Sequence, residues 1–480
     1  MSESYSDPVA KPPLAPNVGP PASHLFVLLV SAVAAIGGFL FGFDSGVING
    51  AVDALAVAFN IQSQNLSTGF AVASVLLGCA VGAFLAGNIS DFLGRRPTML
   101  LTAVIFLVSA YATGAAQSVD VFIAARVLGG LAIGGASVIA PMYISEVSPA
   151  ALRGRLASLQ QLAIVLGLFG AVLSNYILDR AAGGASGILW LGQPAWRWMF
   201  WMEAVPSVAF FIGALLIPES PRYLVAHGQH AFARAIFARI GGDPDNLVRE
   251  VQQSLLGEHR PRLSDLIDAK TRRIAPILWS GMGLAAFQQF VGINIIFYYG
   301  AVLWQAAGSS AHAALRNSLI TNFTNILATV VAIALIDRLG RKPLLVIGSI
   351  GMAVTLGILS AVFATAAFGP DGKPLLTHAM GLIGLGAANL YVIAFGISWG
   401  PVMWVLLGEM FPNRLRGAAL AVSGATNWVA NFAITASFPV MLSHIGLGGA
   451  YGLYTIAAFI SLFFVLKFVR ETKGRTLEQM

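Results

Sequence analysis

The stretch DFLGRRP at residues 91–97 returns, little changed, as DRLGRKP at 337–343. A longer pair behaves the same way: EVSPAALRG at 146–154 and EMFPNRLRG at 409–417 share E-x-x-P-x-x-L-R-G. Each is a short charged interruption between long apolar stretches. In both halves the first motif follows the second apolar stretch and the second motif follows the fourth. A chain that repeats its interruptions in one order is built from two copies of a unit, set in parallel.

The apolar stretches define that unit. Twelve of them reach the roughly 20 residues a helix needs to cross hydrocarbon. They lie near 25–52, 67–89, 98–116, 120–145, 156–179 and 197–217, then near 275–306, 315–336, 343–368, 379–411, 417–442 and 449–469. Of the 480 residues 57% are hydrophobic and only 10% charged, with a mean hydropathy of +0.78. A soluble chain carries about one quarter charged residues, so there is too little charge here to coat a water-facing surface. The expected fold is an all-α integral membrane protein with twelve transmembrane helices in two six-helix halves. Fifty-two glycines suit close helix contacts in lipid. The lone Cys79 excludes an intramolecular disulfide and a cysteine metal cluster.

The Lys and Arg residues orient the helices. Twenty-three of the 28 fall in loops and tails on one side, nine of them in the segment 218–273. Only Arg180, Arg197, Arg316 and Lys373 fall on the other, and Arg126 lies inside a span. The net charge of +7 is therefore a sidedness signal and not a nucleic-acid footprint. The predicted organisation is a polar cytoplasmic tail over 1–24, without signal-peptide features, and a bundle over 25–217. A cytoplasmic linker of amphipathic helices over 218–273, a second bundle over 274–470 and a short tail over 471–480 follow. Both termini are predicted cytoplasmic, in a multi-pass monomer of the cell (plasma or inner) membrane, with the lipid bilayer as its surroundings.

Three ionisable residues stand at membrane depth: Asp44, Arg126 and Glu203. One such charge costs roughly 2.5–3.5 kcal/mol on insertion scales, so it needs a partner or a function. Arginine stays protonated, which makes the two acids its natural partners. They read either as a permanent ion pair between helices or as a proton switch, in which movement of Arg126 changes the affinity of Asp44 for a proton.

Amides and aromatics cluster at mid-depth in five spans. These are Gln160 and Gln161; Gln288, Gln289, Asn294, Tyr298 and Tyr299; Asn322 and Asn325; Trp399 and Trp404; and Asn427, Trp428 and Asn431. Singly each reads as well as interhelical glue or an interface anchor. Together they supply donors, acceptors and ring faces for a neutral, hydroxyl-edged ligand. On an ideal helix Gln288, Gln289 and Asn294 point about 100° to 240° apart. Their convergence requires a bend, for which Gly292 and Gly300 are the candidates. Spaced charges also mark one end of the helices: Asp91, Arg95, Arg96, Glu146 and Arg153 in the first half, and Asp337, Arg341, Glu409 and Arg416 in the second. Glu219, Arg222 and Glu471 complete a predicted cytoplasmic gate of ion pairs that fastens and releases.

These motifs, in order with PMYISEVSPAALRGRL, PESPRYL, QQFVGINIIFYY, WGPVMWVLLGEMFPNRLRG and ETKGRTLEQM, cover about residues 25 to 480. The chain resembles the sugar porter branch of the major facilitator superfamily, closest to bacterial proton-coupled sugar symporters of the xylose/proton type and to facilitative glucose carriers. The PESPR and QQ-x-x-G-x-N segments are the specific ones. One departure is Arg470-Glu471-Thr472, where the family often has Pro-Glu-Thr.

The resemblance implies the major facilitator fold and a monosaccharide and a proton as partners. It implies sugar contacts at Phe41, Gln161, Gln288, Gln289, Asn294, Asn325, Trp404, Asn427 and Trp428, and proton coupling through Asp44, Arg126 and Glu203. Proton-coupled members carry Asp where facilitative carriers carry Asn, which matches Asp44. The expected function is import of a glucose-like hexose or a pentose in symport with a proton. The rivals are a facilitative uniporter and a sugar sensor that moves no cargo; sensors usually carry long cytoplasmic tails. No nucleotide loop, zinc motif or nucleophile elbow is present, so no enzyme activity, metal or cofactor is expected.

Overall fold

The computed structural model describes residues 24–149, 152–241, 243–256, 266, 274–368 and 374–473, without the side chains of 153–155, 157, 337, 413 and 414. Residues 1–23 of the predicted tail over 1–24 and 474–480 of that over 471–480, the gate side chains of Arg153 and Asp337, and much of the linker's second half lie outside the described residues.

The first half contains span 1 (His24–Val47), span 2 (Asn65–Leu93), span 3 (Arg95–Ala115), span 4 (Val119–Val147) and span 5 (Arg153–Ala182). Span 6 is two segments, Ala195–Trp201 and Ala204–Leu216. Three short helices follow, Pro221–Ala226, His230–Ile240 and Pro244–Leu256, on the segment predicted to be an amphipathic linker. In the second half span 7 breaks into Pro276–Phe290, Ile293–Tyr298 and Gly300–Ala306. Span 8 (Ala311–Leu339) and span 9 (Arg341–Ala364) are continuous, and span 10 is split into His378–Gly396 and Trp399–Met410. Spans 11 and 12 run as one helix, Asn413–Phe468, turned at Gly446 (φ 66°). Among the described residues eleven helices are therefore long and apolar enough to cross a membrane, one of them the 54 residues Leu415–Phe468, equivalent to two predicted spans. The twelve-span prediction differs only at that join, where a glycine in a left-handed conformation replaces a loop.

Helix starts follow their sequences. Ser118, Ser310 and Thr377 cap spans 4, 8 and 10 through hydroxyls that accept from the backbone N–H of Val121, Ala313 and Met380. Packing follows the glycines. A Cβ on Gly78 would sit 2.0 Å from the Val127 carbonyl, and one on Gly130 would sit 2.0 Å from the Val75 carbonyl. Spans 2 and 4 thus touch backbone to backbone, the close approach small residues permit in lipid. Polarity is inverted relative to a soluble protein. Phe84, Phe92 and Trp279 are exposed, whereas Asp44, Arg126, Asn175 and Glu203 are buried. Such a surface suits hydrocarbon, and the internal polar groups define the site.

Candidate functional site

The break in span 7 gathers the predicted amides. Gly292 adopts φ 82°, and Asn294 restarts the helix in a new direction. Asn294 Nδ2 then donates to Gln289 Oε1 at 2.6 Å. Gln289 Nε2 donates to Asn427 Oδ1 at 3.1 Å, and Asn427 Nδ2 to Gln288 Oε1 at 2.8 Å. Gln288 in turn donates to the carbonyl of Trp399 at 2.9 Å. Four predicted residues thus form one connected network between spans 7 and 11, anchored to the split in span 10.

Phe41 of span 1 lies against Trp428 of span 11, ring centroids 5.7 Å apart, so an aromatic pair joins the halves beside this network. Asn325 is buried in span 8 and faces Gly396, its Oδ1 3.4 Å from where a Cβ on that glycine would stand. Gln161 is half-buried on span 5. Trp404 is 42% exposed and makes no ring–ring contact among the described residues. The other predicted amides and rings are placed nearby. The Tyr298 hydroxyl bonds Asn431 and reaches Ser45, the neighbour of Asp44 in the opposite half. Gln160 Oε1 and Asn322 Oδ1 are buried with no hydrogen-bond partner among the described residues. Trp399 is fixed as structure, its indole donating to Ser349 Oγ at 3.0 Å.

The three intramembrane charges meet. Arg126 Nη1 stands 2.5 Å from Asp44 Oδ1, with both side chains no more than 3% exposed. The guanidinium carbon is 5.8 Å from the centroid of the Phe200 ring. Glu203, at the joint of the two segments of span 6, is buried beside this pair. This triad lies within the first half, and the Ser45–Tyr298 contact connects it to span 7.

The predicted gate charges form two matching clusters. Arg95 makes a bidentate pair with Glu146, Nε and Nη2 each at 3.0 Å, and reaches Asp91 at 3.0 Å. Arg341 repeats it with Glu409 at 3.1 and 2.8 Å. Glu219 accepts the N–H groups of Arg95 and Arg96 at 3.0 and 3.2 Å, and Glu471 accepts those of Arg341 and Lys342 at 3.1 and 2.9 Å. Gly94 and Gly340, with φ 101° and 93°, make the matching turns. Arg96 donates to the carbonyls of Ala214 and Leu215, and Arg416 to that of Phe411 at 3.1 Å. Arg222 is half-buried. Glu219 and Glu471 are thus repeat-equivalent, a relation the sequence carried in E-S and E-T but the motif comparison missed. Each of these pairs ties helices of one half to each other, in a structure whose halves join at the far end.

That far end, opposite the chain termini, holds contacts the sequence reading did not foresee. Asn49 Nδ2 donates to the Phe297 carbonyl at 2.7 Å, and its Oδ1 accepts the Ala301 N–H at 2.9 Å. In an unbroken helix that N–H points to Phe297; the side chain of Asn49 stands in the gap. Gln305 donates to Asp53 at 2.7 Å, and His312 Nδ1 lies 2.5 Å from Asp179 Oδ2. A cavity of about 330 Å³, lined by Asp53, Asn65, Tyr299 and Phe438 among others, opens between the halves there, apart from the amide network. Asn49 was legible as an amide inside an apolar stretch.

Residues 30–480 match the family described as Sugar (and other) transporter. The chain is 56% identical over 461 residues to a glucose transport protein of Synechocystis sp., covering 96% of this chain and 98% of that one. It is 36% identical over 488 residues to the D-xylose-proton symporter of Escherichia coli K12, covering 95% of each. The partially occluded inward-open structure of the E. coli xylose transporter XylE superposes with a TM-score of 0.81 at 33% identity, over 94% of this chain and all of that one.

Proposed function

The chain belongs to the sugar transporter family, and from that premise we propose that it imports a glucose-like monosaccharide together with a proton by alternating access. The observation that carries this reading is the buried Asp44–Arg126 pair in the same polar interior as the Gln288–Gln289–Asn294–Asn427 network. The relatives named for glucose and for proton-coupled xylose transport support sugar as the cargo.

In this reading the amides exchange their mutual hydrogen bonds for sugar hydroxyls, and Phe41 and Trp428 take the C–H face of the ring. Asp44 takes up and releases the proton, Arg126 competes with it for the carboxylate, and Glu203 shares the site. Ser45 and Tyr298 link a movement of span 7 to span 1 beside Asp44. The positive-inside pattern supports a plasma-membrane protein with both termini cytoplasmic. On that orientation the contacts of Asn49, Asp53 and Asp179 close the outer side, and the cargo path opens inward. The matched ion-pair clusters then act as struts that keep each half rigid while it rocks.

The test is uptake by the purified protein in liposomes, across a panel of monosaccharides, with and without an imposed pH gradient. Gradient-driven accumulation of a sugar, with alkalinisation of the outer solution, is expected. Equilibration without proton movement reduces the protein to a passive carrier, and binding without uptake makes it a sensor.

A further inference from the structure

Asp179 and His312 are the titratable pair among the contacts that join the halves at the end opposite the termini. Asp179, in the last turn of span 5, has a side chain only 2% exposed, while that of His312, in the first turn of span 8, is 52% exposed. A buried acid of one half is thus met by an imidazole of the other that the solvent reaches. The two belong to different halves, so rocking that opens this end must part them. Asn49 fastens the same end with a neutral amide bonded to backbone groups, which does not change with pH, and Gln305 with one bonded to the exposed carboxylate of Asp53.

The other ionisable groups at this end do not replace His312. Arg180 is turned onto Tyr176 of its own helix, and Arg197 donates to the Gly114 carbonyl. Asp53 is bonded to Gln305, and His444 lies on Ser443 and the Val440 carbonyl of its own helix. Arg316 lies one turn further along span 8, and Asp120 and His378 begin spans 4 and 10. Imidazole is the side chain whose charge ordinarily changes between pH 5 and 8. A charged imidazole against a buried carboxylate is a stronger contact than a neutral one.

We propose that His312 and Asp179 are gate-positioning residues whose pairing makes closure of the outer side responsive to the external proton concentration, separately from the coupling carboxyl Asp44. The proposal rests on the alternating-access reading but not on the identity of the cargo. Its sign follows from linkage. A protonated imidazole strengthens its contact with Asp179 only while the halves are together, so external acid favours closure and alkaline solution releases it. Closure exposes the site inward, so acid outside speeds delivery to the inner face and slows the return.

The test follows the distance between spin labels at Ser186→Cys and Ala311→Cys, in a full-length Cys79→Ser background in nanodiscs, from about pH 8 to about pH 5.5. The ratio of closed to open populations is expected to rise about two- to fivefold on acidification, the scale of a partly exposed ion pair. The same rise is expected with Asp44→Asn present, because the coupling carboxyl is not its source. His312→Gln and Asp179→Asn should each flatten the response, and His312→Arg should hold the acid-like population at pH 8. A full pH response in His312→Gln, or none once Asp44 is replaced, overturns the proposal. Sugar counterflow by the same variants is read separately: its loss from the parent protein strikes the transport reading, whereas a flat pH response with intact counterflow strikes only this one.

Discussion

At the scale of single residues, position in the membrane gives ordinary side chains their work. Asp44 and Arg126 would be a modest pair in water; out of reach of solvent, each depends on the other, and removing one strands the opposite charge. Asp44→Asn keeps the shape and most of the hydrogen bonding but cannot exchange a proton. It is expected to abolish accumulation against a gradient while leaving sugar binding and exchange, measured by counterflow in liposomes. Full accumulation by that variant would end the coupling scheme. The amide network argues similarly for the cargo. On the proposed function, Gln289→Ala and Asn294→Ala would each remove at least one hydrogen bond to sugar and unsettle the other amides. At about 0.5–1.5 kcal/mol per bond, a loss of affinity of about tenfold is expected, read by equilibrium binding; unchanged affinity in both variants would remove the network from the site. All these residue types were visible in the sequence as polar groups within apolar stretches. Asp179 was overlooked because an acid near a predicted span end looks solvated until the neighbouring half is seen covering it.

At the scale of elements, breaks decide more than helices do. Span 7 is three segments, and only the turn at Gly292 lets Asn294 reach Gln289. That requirement was legible in advance, since the helical angles could not converge without it. Spans 3 and 9 show a second device: each starts after a glycine with positive φ and is capped by a carboxylate distant in sequence. The two caps are not electrostatically equal. Burial raises the Glu219 carboxyl above its ordinary range, and the N–H groups of Ser220, Arg95 and Arg96 only partly oppose it. Burial also acts on Glu471, but the N–H groups of Lys473, Arg341, Lys342 and Thr472 outweigh it and hold the carboxyl below its ordinary range. The signs therefore differ. Glu471 stabilises the fold above its unfolded-state value and loses this as pH falls through its lowered folded-state value. The ionised form of Glu219 is disfavoured, so its contribution is complete at acid pH and declines as pH rises through its raised value. Glu471→Gln is expected to cost about 1 kcal/mol at pH 7, and Glu219→Gln less. Thermal unfolding of the two purified variants at pH 7 and pH 4 checks this, and equal losses at both pH values would contradict it.

At the scale of the whole molecule, the two halves meet at one end through close backbone contact as well as through polar side chains. A Cβ on Gly69 of span 2 would stand 2.1 Å from the Ala436 carbonyl of span 11. Gly69→Leu is expected to wedge that end apart and shift the population toward the open state, lowering net uptake severalfold while each half remains folded. Accessibility of a cysteine placed at Tyr299 to an impermeant thiol reagent, in a Cys79→Ser background, measures the shift; accessibility equal to that of the parent would show that the contact does not control closure. The struts at the other end predict the complementary behaviour. Because Arg95–Glu146 and Arg341–Glu409 lie within their own halves, their loss should loosen a half and lower its thermal stability more than it changes which side is open.

The sequence by itself determined the membrane fold, the duplication and the residue types of the interior. Hydrophobic length and motif order are local properties, and a bilayer converts them almost directly into helices and their order. Only the tertiary structure decided which charges pair, that the repeated ion pairs stay within halves, and that Asn49, Asp179 and His312 join the two. Those contacts join residues up to 252 positions apart in the chain and depend on which end of the bundle is shut. Which end is shut is set by packing between whole halves, a quantity no stretch of sequence contains.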